Sequence, residues 1–571
     1  MRDIRIYSTT DAYNTAYKTR DNNEECKYPY LALTKDDASN PEVHFGNPRR
    51  HCVLWGKSLS KNFKLIAGTN GNNVTTPIFE DNGDGTYTWY VVNPDRSNRK
   101  LVHLSFWCSY NYWGRYTGDT SNAPTVEGYL KDGKFYSDSG YTTEITGELG
   151  VKYKNLASTS TNEHDYIYRW NGTEYLKLWQ MYGKQDVTEI YIPEGVTVNS
   201  AGIYISEMPN LKVLDIGREG FNVSGSMSDA IYKDNYEVLD LSKWTFNNCT
   251  FLRAMAPNNN SLKLLILPDD FSMPQCTDIS KLVGWDTKLV RIKGMKTTDF
   301  SSCQIFQEMF CDTNSLRYID FKIDNWVTTN ATNLYGMFSK MSYNTGVNYI
   351  WLDKDIIGDF TTWKTDNVRL IGAIFNGGKA KELDLTGWNL SKVRNVNTMF
   401  SYSDYKTLKL NNWTFPKTKV SGDTENPIYL YYHEGKYYKT KETADTATTY
   451  SDEITLTAGT YYYNMDSKDY IEPYAKANLL YYYDGSSSQE VLMRYSEMFG
   501  YSTIGTIELK GCSDNFIEFI KARLADSKTY NNNKQVPLLS VMRPLLVTDA
   551  GTYECTYDST AGTATWNKKE N

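Results

Sequence analysis

Five histidines, nine cysteines and a scatter of carboxylates are the residues of this 571-residue chain with the chemistry for acid–base, nucleophilic or metal-assisted work. The histidines, His44, His51, His103, His164 and His433, stand in no HExxH or HxH spacing, so none reads as a metal ligand. No GxSxG elbow, P-loop or GxGxxG occurs. In EDNGDGTYTWY, Glu80, Asp81 and Asp84 could offer oxygens to calcium, but Gly83 stands where the ligand after Asp81 is needed. An Asp-Gly hairpin turn at Asp84-Gly85 is the expectation there. No catalytic residue, cofactor or metal site is therefore predicted. Glycan cleavage stays open, because a glycosidase carboxylate pair meets only in three dimensions.

The cysteines form an odd set without CxxC spacing, and the lack of a signal region at the N-terminus argues for reduced thiols. Three of them, Cys249, Cys276 and Cys303, lie 27 residues apart. A zinc site or a disulfide ladder is one reading. A column of small buried side chains is the other, and it is preferred because Cys packs as a small hydrophobe.

The elements that would place these residues are set by a repeat. Short apolar-x-apolar strands centre on Tyr191, Asp215, Asp240, Ile266, Asp320, Trp351, Asp384 and Lys409, with a weaker copy at Ile292. Their spacing falls around the 20–29-residue period of leucine-rich repeats, with two longer units. After each strand and turn, often with a Trp (Trp244, Trp388, Trp413), apolar residues recur at i, i+3, i+6 and i+7: Val393, Val396, Met399 and Phe400 in one unit; Cys303, Phe306, Met309 and Phe310 in another. That period predicts a short helix in every unit. The three cysteines occupy the slot filled by Ala331, Val368 and Val393 elsewhere. No single unit can bury its apolar face, so the units must stack into a solenoid.

The repeat is interrupted. After Trp413 the next half-unit is delayed until Leu492, Tyr495, Met498 and Phe499, with its strand at Ile507-Glu508-Leu509. A Tyr-rich segment intervenes, and it has a relative upstream. DGKFYSDSGYTTEIT (132–146) and EGKYYKTKETADTATTYSDEIT (434–455) both lead through a Gly to an aromatic strand and an aromatic-[ND]-Gly hairpin turn. The insertion thus sits in a loop of one repeat, where insertions are tolerated.

LDLSxW followed by a V/C-x-x-φ-x-x-MF segment resembles the BspA-like leucine-rich-repeat family of bacterial surface adhesins, which implies a non-enzymatic binding solenoid. The DGKFYxDxxYTTEIT…YRWNGTEY module resembles β-hairpin modules of tail-fibre and other virion proteins of Bacteroides phages, including crAss-like phages. KYPYLALTKDDASNPEVHFGN (27–47) is similar to the starts of structural proteins from such phages.

The fold class expected is multidomain and β-rich. It comprises an N-terminal all-β sandwich (1–125), a small β-module (126–173), a BspA-like leucine-rich-repeat solenoid (174–415), a related inserted module (416–490), a final repeat with a capping helix (491–525) and a C-terminal hairpin segment (526–571). The capping helix places Phe516, Ile517, Ile520 and Leu524 on one face behind an N-cap at Ser513. The net charge of −7 leaves no basic footprint for nucleic acid. No run of 18 apolar residues exists, so membrane insertion by a helix is not expected. The N-terminus lacks an apolar signal region, which fits a cytoplasmic protein or one that leaves the cell inside an assembled virus.

The function expected is a phage virion structural protein, a fibre or decoration component oligomeric in the particle. Its partners would be other virion proteins and a host-surface glycan or protein. A bacterial cell-surface adhesin is the alternative, and a glycan-cleaving fibre the third reading. Trp351, set between Ile350 and Leu352 where other units carry Asp or Lys, is the candidate contact residue, with packing against the neighbouring long unit as its other role.

Overall fold

The computed structural model describes residues 235–259, 261–340, 349–418, 427–444, 447–472 and 475–570, together with 124–148, 151–161, 166–170 and shorter strand segments between residues 3 and 232. The chain is β-rich, with several sheets, and divides into two compact units: Met1–Phe246 with Asn258–Pro268, and Asn247–Pro257 with Asp269–Asn571.

In the first unit, strands from before residue 125 do not pair only among themselves. Val53–Ser58 lies antiparallel to Tyr87–Val92 on one side and to Val187–Tyr191 on the other, and Val187–Tyr191 runs parallel to Val213–Asp215 with Ile190 opposite Leu214. Leu104–Cys108 pairs antiparallel with Phe63–Ile66 and parallel with Ile203–Ser206. These N-terminal strands therefore share their two sheets with the first repeat strands, where an all-β sandwich over residues 1–125 was expected, while Asp3–Tyr7, Tyr30–Thr34 and Val43–Gly46 pair among themselves. Gly56 marks the closest approach: a Cβ there would meet the Glu189 carbonyl at 1.9 Å and the Trp89 ring at 2.5 Å.

In the second unit, parallel strands pair at repeat spacing. Ile292 faces Ile319, Leu383 faces Leu408, Leu408 faces Ile507 and Ile507 faces Leu546. Asp404–Lys409 thus pairs directly with Thr503–Glu508, across the whole insertion. The ladder also runs one rung further than expected. Leu545–Thr548 pairs parallel with Thr503–Glu508 before Gly551–Asp558 and Thr563–Lys568 turn it antiparallel. The helix Asp514–Asp526 lies between those parallel strands, with Ser513 accepting the Phe516 amide as N-cap. It buries Phe516, Phe519, Ile520 and Leu524, so Phe519 takes the inward place expected of Ile517 and packs on Phe415 at 5.0 Å.

In the described rungs from Leu252 to Phe499, the second half of the repeat is not a helix. Every second amide leaves its own segment and donates to the next rung: Ile279, Lys281 and Val283 to the carbonyls of Ile305, Gln307 and Met309, and Phe306, Glu308 and Phe310 to those of Asn333, Tyr335 and Met337. Val396, Thr398 and Phe400 donate likewise to Arg494, Ser496 and Met498. An α-helix would instead use these amides internally, four residues back. Alternation becomes possible because one residue per rung turns left-handed, at Ala254, Lys281, Glu308, Gly336, Ala373, Thr398 and Glu497, with φ between 52° and 61°. A second left-handed position follows four residues later at Asn258, Trp285, Asp312, Gly377, Tyr402 and Tyr501. The apolar spacing shared with a helix comes from this tight turn, which points the same residues inward.

Inside the stack, side chains repeat as columns. Phe310, Phe338, Phe375, Phe400 and Phe499 stack ring on ring at 5.6, 6.4, 6.1 and 5.6 Å, all within 15° of parallel. Trp326, Trp363, Trp388 and Trp413 form a second column at 6.2, 6.2 and 6.1 Å. The indole N–H groups of Trp363, Trp388 and Trp413 each donate to a carbonyl of the preceding rung, at Ile323, Phe360 and Leu385. These three buried indole nitrogens are thus satisfied by the neighbouring rung, so their part of the column sets register as well as filling space.

A β-branched residue in the left-handed region costs about 1–2 kcal/mol relative to glycine. Thr398→Gly is therefore expected to raise the urea midpoint, by about 1 kcal/mol of stability net of glycine's greater freedom in the unfolded chain. Gly336→Ala should lower it, since the new Cβ sits 3.2 Å from Glu308 Cγ at φ +61°. Equal or opposite shifts from those stated would show that the turn ladder does not demand this conformation.

Candidate binding surfaces

The carboxylates of residues 80–84 serve a hairpin. Ile78–Asp81 and Tyr87–Val92 pair antiparallel. Asp81 Oδ1 accepts the Gly83 amide at 2.9 Å, and Asp84 Oδ1 accepts the Thr86 amide at 3.0 Å. The Thr86 hydroxyl and amide hold the Asp84 carboxyl below the usual carboxylate range. Among the described residues no group of three or more His, Cys, Asp or Glu could hold a metal ion.

Cys249, Cys276 and Cys303 are buried without a disulfide, in the slot where Ala331, Val368 and Val393 are also buried. Their thiols donate to carbonyls two residues on, Phe251, Asp278 and Ile305. Burial pushes the Cys303 thiol well up from its ordinary value. These are packing residues, as the small-hydrophobe reading expected. All three should resist Ellman's reagent in the folded protein and react on unfolding in urea; rapid native-state reaction would contradict the buried column.

His433 is the histidine whose side chain the structure describes. Its ring stacks on Tyr450 at 4.3 Å. His44, His51, His103 and His164 have side chains outside the described residues.

Trp351 lies at a break in the strand ladder. Ile350–Trp351 pairs with the first residues of Gly378–Asp384, Trp351 opposite Lys379, while Tyr318–Ile319 belongs to a different sheet. A small apolar cavity sits at the break, bordered by Phe310, Ile319, Phe338, Ile356 and Ile357 with Trp351 and Arg317. The half-buried Trp351 ring has the Arg317 guanidinium at 5.5 Å and the Lys379 ammonium at 5.8 Å. Both cations are within reach of the ring's negative face. Its surroundings are those of a packing residue against the long unit. Trp351→Ala should cost about 2 kcal/mol in urea unfolding, a partial core truncation.

The two small modules share one strand order. In the first, Thr125–Lys131, Lys134–Tyr136 and Glu144–Ile145 form a meander, and Lys152–Asn155 returns parallel to Thr125–Lys131 before Ile167–Trp170 and Tyr175–Lys177 follow antiparallel. In the second, Ile428–His433, Lys436–Ala444 and Ala447–Ile454 form the meander, and Thr460–Glu472 returns parallel to Ile428–His433 before Ala475–Tyr483 and Ser488–Leu492. Asp132-Gly133 and Glu434-Gly435 turn the first hairpin of each with φ positive at both residues, the type I′ geometry. Lys134–Glu144 and Lys436–Glu453 brace the same position, each at 2.8 Å.

The inserted module is aromatic on both faces. Leu430, Leu456 and Tyr462 pack with Tyr437 and Tyr481 on one; Tyr461, Leu480 and Val491 pack with Tyr463 and Tyr482 on the other. Tyr429, stacked on Tyr463 at 5.4 Å, is 58 % exposed, and Tyr432 and Tyr470 are 49 % and 41 % exposed. Exposed tyrosines of limited side-chain entropy suit contact surfaces.

Four charged residues seat this module on the rungs. Arg394, its side chain fully buried, reaches Asp469 at 2.6 Å and Glu490 at 3.1 Å. Arg369, one rung earlier, contacts Glu490 at 2.7 Å and Asp469 at 3.6 Å. Arg494–Glu472 at 3.0 Å and the Asn395 amide donating to the Ile471 carbonyl flank them. None of these residues stood out in the sequence, yet a signal was present. Arg369 and Arg394 follow the slot residues Val368 and Val393, and at that place the rungs away from the insertion carry Thr250, Thr277, Gln304 and Thr332. The backbone links this column rung to rung, from Thr277 to Thr250 through to Arg394 to Arg369.

The fold so described is that of a β-rich repeat protein with a β-module set into one of its units. Residues 225–351 and 348–424 match the family described as "Mycoplasma protein of unknown function, DUF285". The match covers less than half of the chain and ends at the entry to the inserted module. No curated protein and no solved structure matches the chain.

Proposed function

We propose that this protein is a phage virion structural protein, a surface-exposed fibre or decoration component, built on a BspA-like leucine-rich-repeat solenoid. In this reading an N-terminal β-region, joined through its sheets to the first repeat strands, attaches to other virion proteins, and a solenoid with two β-modules makes contact with a host-surface glycan or protein. The observation that carries this reading is the division of labour within the second unit. The rungs place their Phe and Trp rings in buried columns and expose the single tyrosines Tyr318 and Tyr402, whereas the inserted module carries three exposed tyrosines, Tyr429, Tyr432 and Tyr470. A scaffold that closes on itself and a passenger that exposes rings fit display better than catalysis.

The resemblance of the modules to those of Bacteroides phage virion proteins supports the particle location. The family match over residues 225–424 favours the second reading, an adhesin of the bacterial cell surface, since it lies in the repeats that resemble the BspA-like family. Mass spectrometry of purified phage particles decides between them: the protein should be present at structural stoichiometry, and its absence would leave the adhesin. For the contact itself, Tyr429→Ala with Tyr432→Ala should weaken binding to host cells or capsular polysaccharide at least tenfold, as loss of an aromatic hot spot does. Unchanged binding would move the contact off this module, and release of oligosaccharide would favour the glycan-cleaving fibre.

A further inference from the structure

Arg394 and Arg369 are costly residues to place on a rung. A fully buried guanidinium is tolerated only when paired, and on the outer rungs the same column is filled with neutral Thr and Gln. The two arginines occur on the two rungs that precede the insertion, and their anions come from the insertion alone, Asp469 from Thr460–Glu472 and Glu490 from Ser488–Leu492. The strand that delivers Asp469 is specialised for it. Thr460–Glu472 has 13 residues where its counterpart Lys152–Asn155 in the first module has 4, and its pairing with Ala475–Tyr483 shifts register between Asn464 and Lys468 and again near Glu472. The extension, still paired with Ala475–Tyr483 of the module's own sheet, carries Asp469, Ile471 and Glu472 to Arg394, Asn395 and Arg494. Meanwhile the rungs do not need the module for continuity, since Asp404–Lys409 pairs with Thr503–Glu508 and Val396 donates to Arg494.

We infer that residues 427–491 are a separately closed body seated on a two-arginine socket, an internal docking surface that recognises a strand presenting two carboxylates, and that this body leaves its seat as a unit when the anions are removed. The rungs on either side stay paired when it does. The inference concerns how the module is held and stands whether or not the module binds a host surface.

The test uses the full chain with Asp469→Asn and Glu490→Gln together, read by phenylglyoxal modification of Arg394 and by hydrogen exchange. In the parent protein Arg394 should be unreactive. In the variant its modification should rise about a hundredfold or more, as expected when a buried charge loses its partners. Amides of Gly378–Asp384, Asp404–Lys409 and Thr503–Glu508, and those of Tyr461–Tyr463 within the module, should keep their protection. Glu490→Gln alone, which leaves Asp469 to both arginines, should give a smaller rise and covers the case in which the double variant does not fold. Loss of rung protection together with Arg394 exposure would overturn the inference by making the module part of the rung core. An Arg394 that stays unreactive in both variants would overturn it by showing that packing, not the ion pairs, holds the seat.

Discussion

The second unit depends on a backbone that donates alternate amides to its neighbour. Once Ile279, Lys281 and Val283 spend their N–H groups on the next rung, the segment can neither coil into a helix nor stand alone. Each unit is then satisfied only by another of the same shape, and the left-handed residue that permits the alternation recurs in the described rungs from Ala254 to Glu497. Column packing follows from this. With rungs held in register, identical side chains fall above one another, and phenylalanine and tryptophan rings stack because the backbone has already placed them.

This constraint explains both what was legible in the sequence and what was not. The strands at Ile292, Ile319, Leu383, Leu408 and Ile507 were readable because an apolar-x-apolar run between turns has few other outcomes. The segments after them were misread as helices because apolar positions three and four apart serve a helix and this turn equally. The left-handed residues gave no warning, since Lys281, Glu308 and Thr398 stand where glycine would have declared a turn, as it does at Gly336. The tryptophan column was half visible: Trp388 lies five residues before Val393, and Trp326 and Trp363 keep the same distance from Ala331 and Val368. The parallel strand Leu545–Thr548 was hidden because the slot motif does not follow it.

The candidate surfaces divide in the same way. Buried thiols were predictable from their slot, and the Asp84 hairpin from its Asp-Gly pair. The socket was not, because an arginine's partners 75 to 121 residues away leave no local trace. Only comparison of one column across the rungs sets Arg369 and Arg394 apart from Thr250, Thr277, Gln304 and Thr332. Trp351, conspicuous as an aromatic residue in a strand, has two cations near its ring at a break in the ladder, with packing enough to account for it.

The direct pairing of Asp404 with Thr503 carries a consequence for how the chain folds. Lys379 and Asp404, one rung back, are 25 residues apart, whereas Asp404 and Thr503 are separated by 99. Closing the longer loop as a flexible coil would cost about 1 kcal/mol more in chain entropy. The module removes that difference if it folds first, since Lys417–Thr418 pairs with Ser488–Leu492 and draws its own entrance and exit together. What then remains to be closed is a loop of ordinary rung length. A large passenger can thus be carried in mid-stack with little kinetic penalty, on condition that its two ends meet.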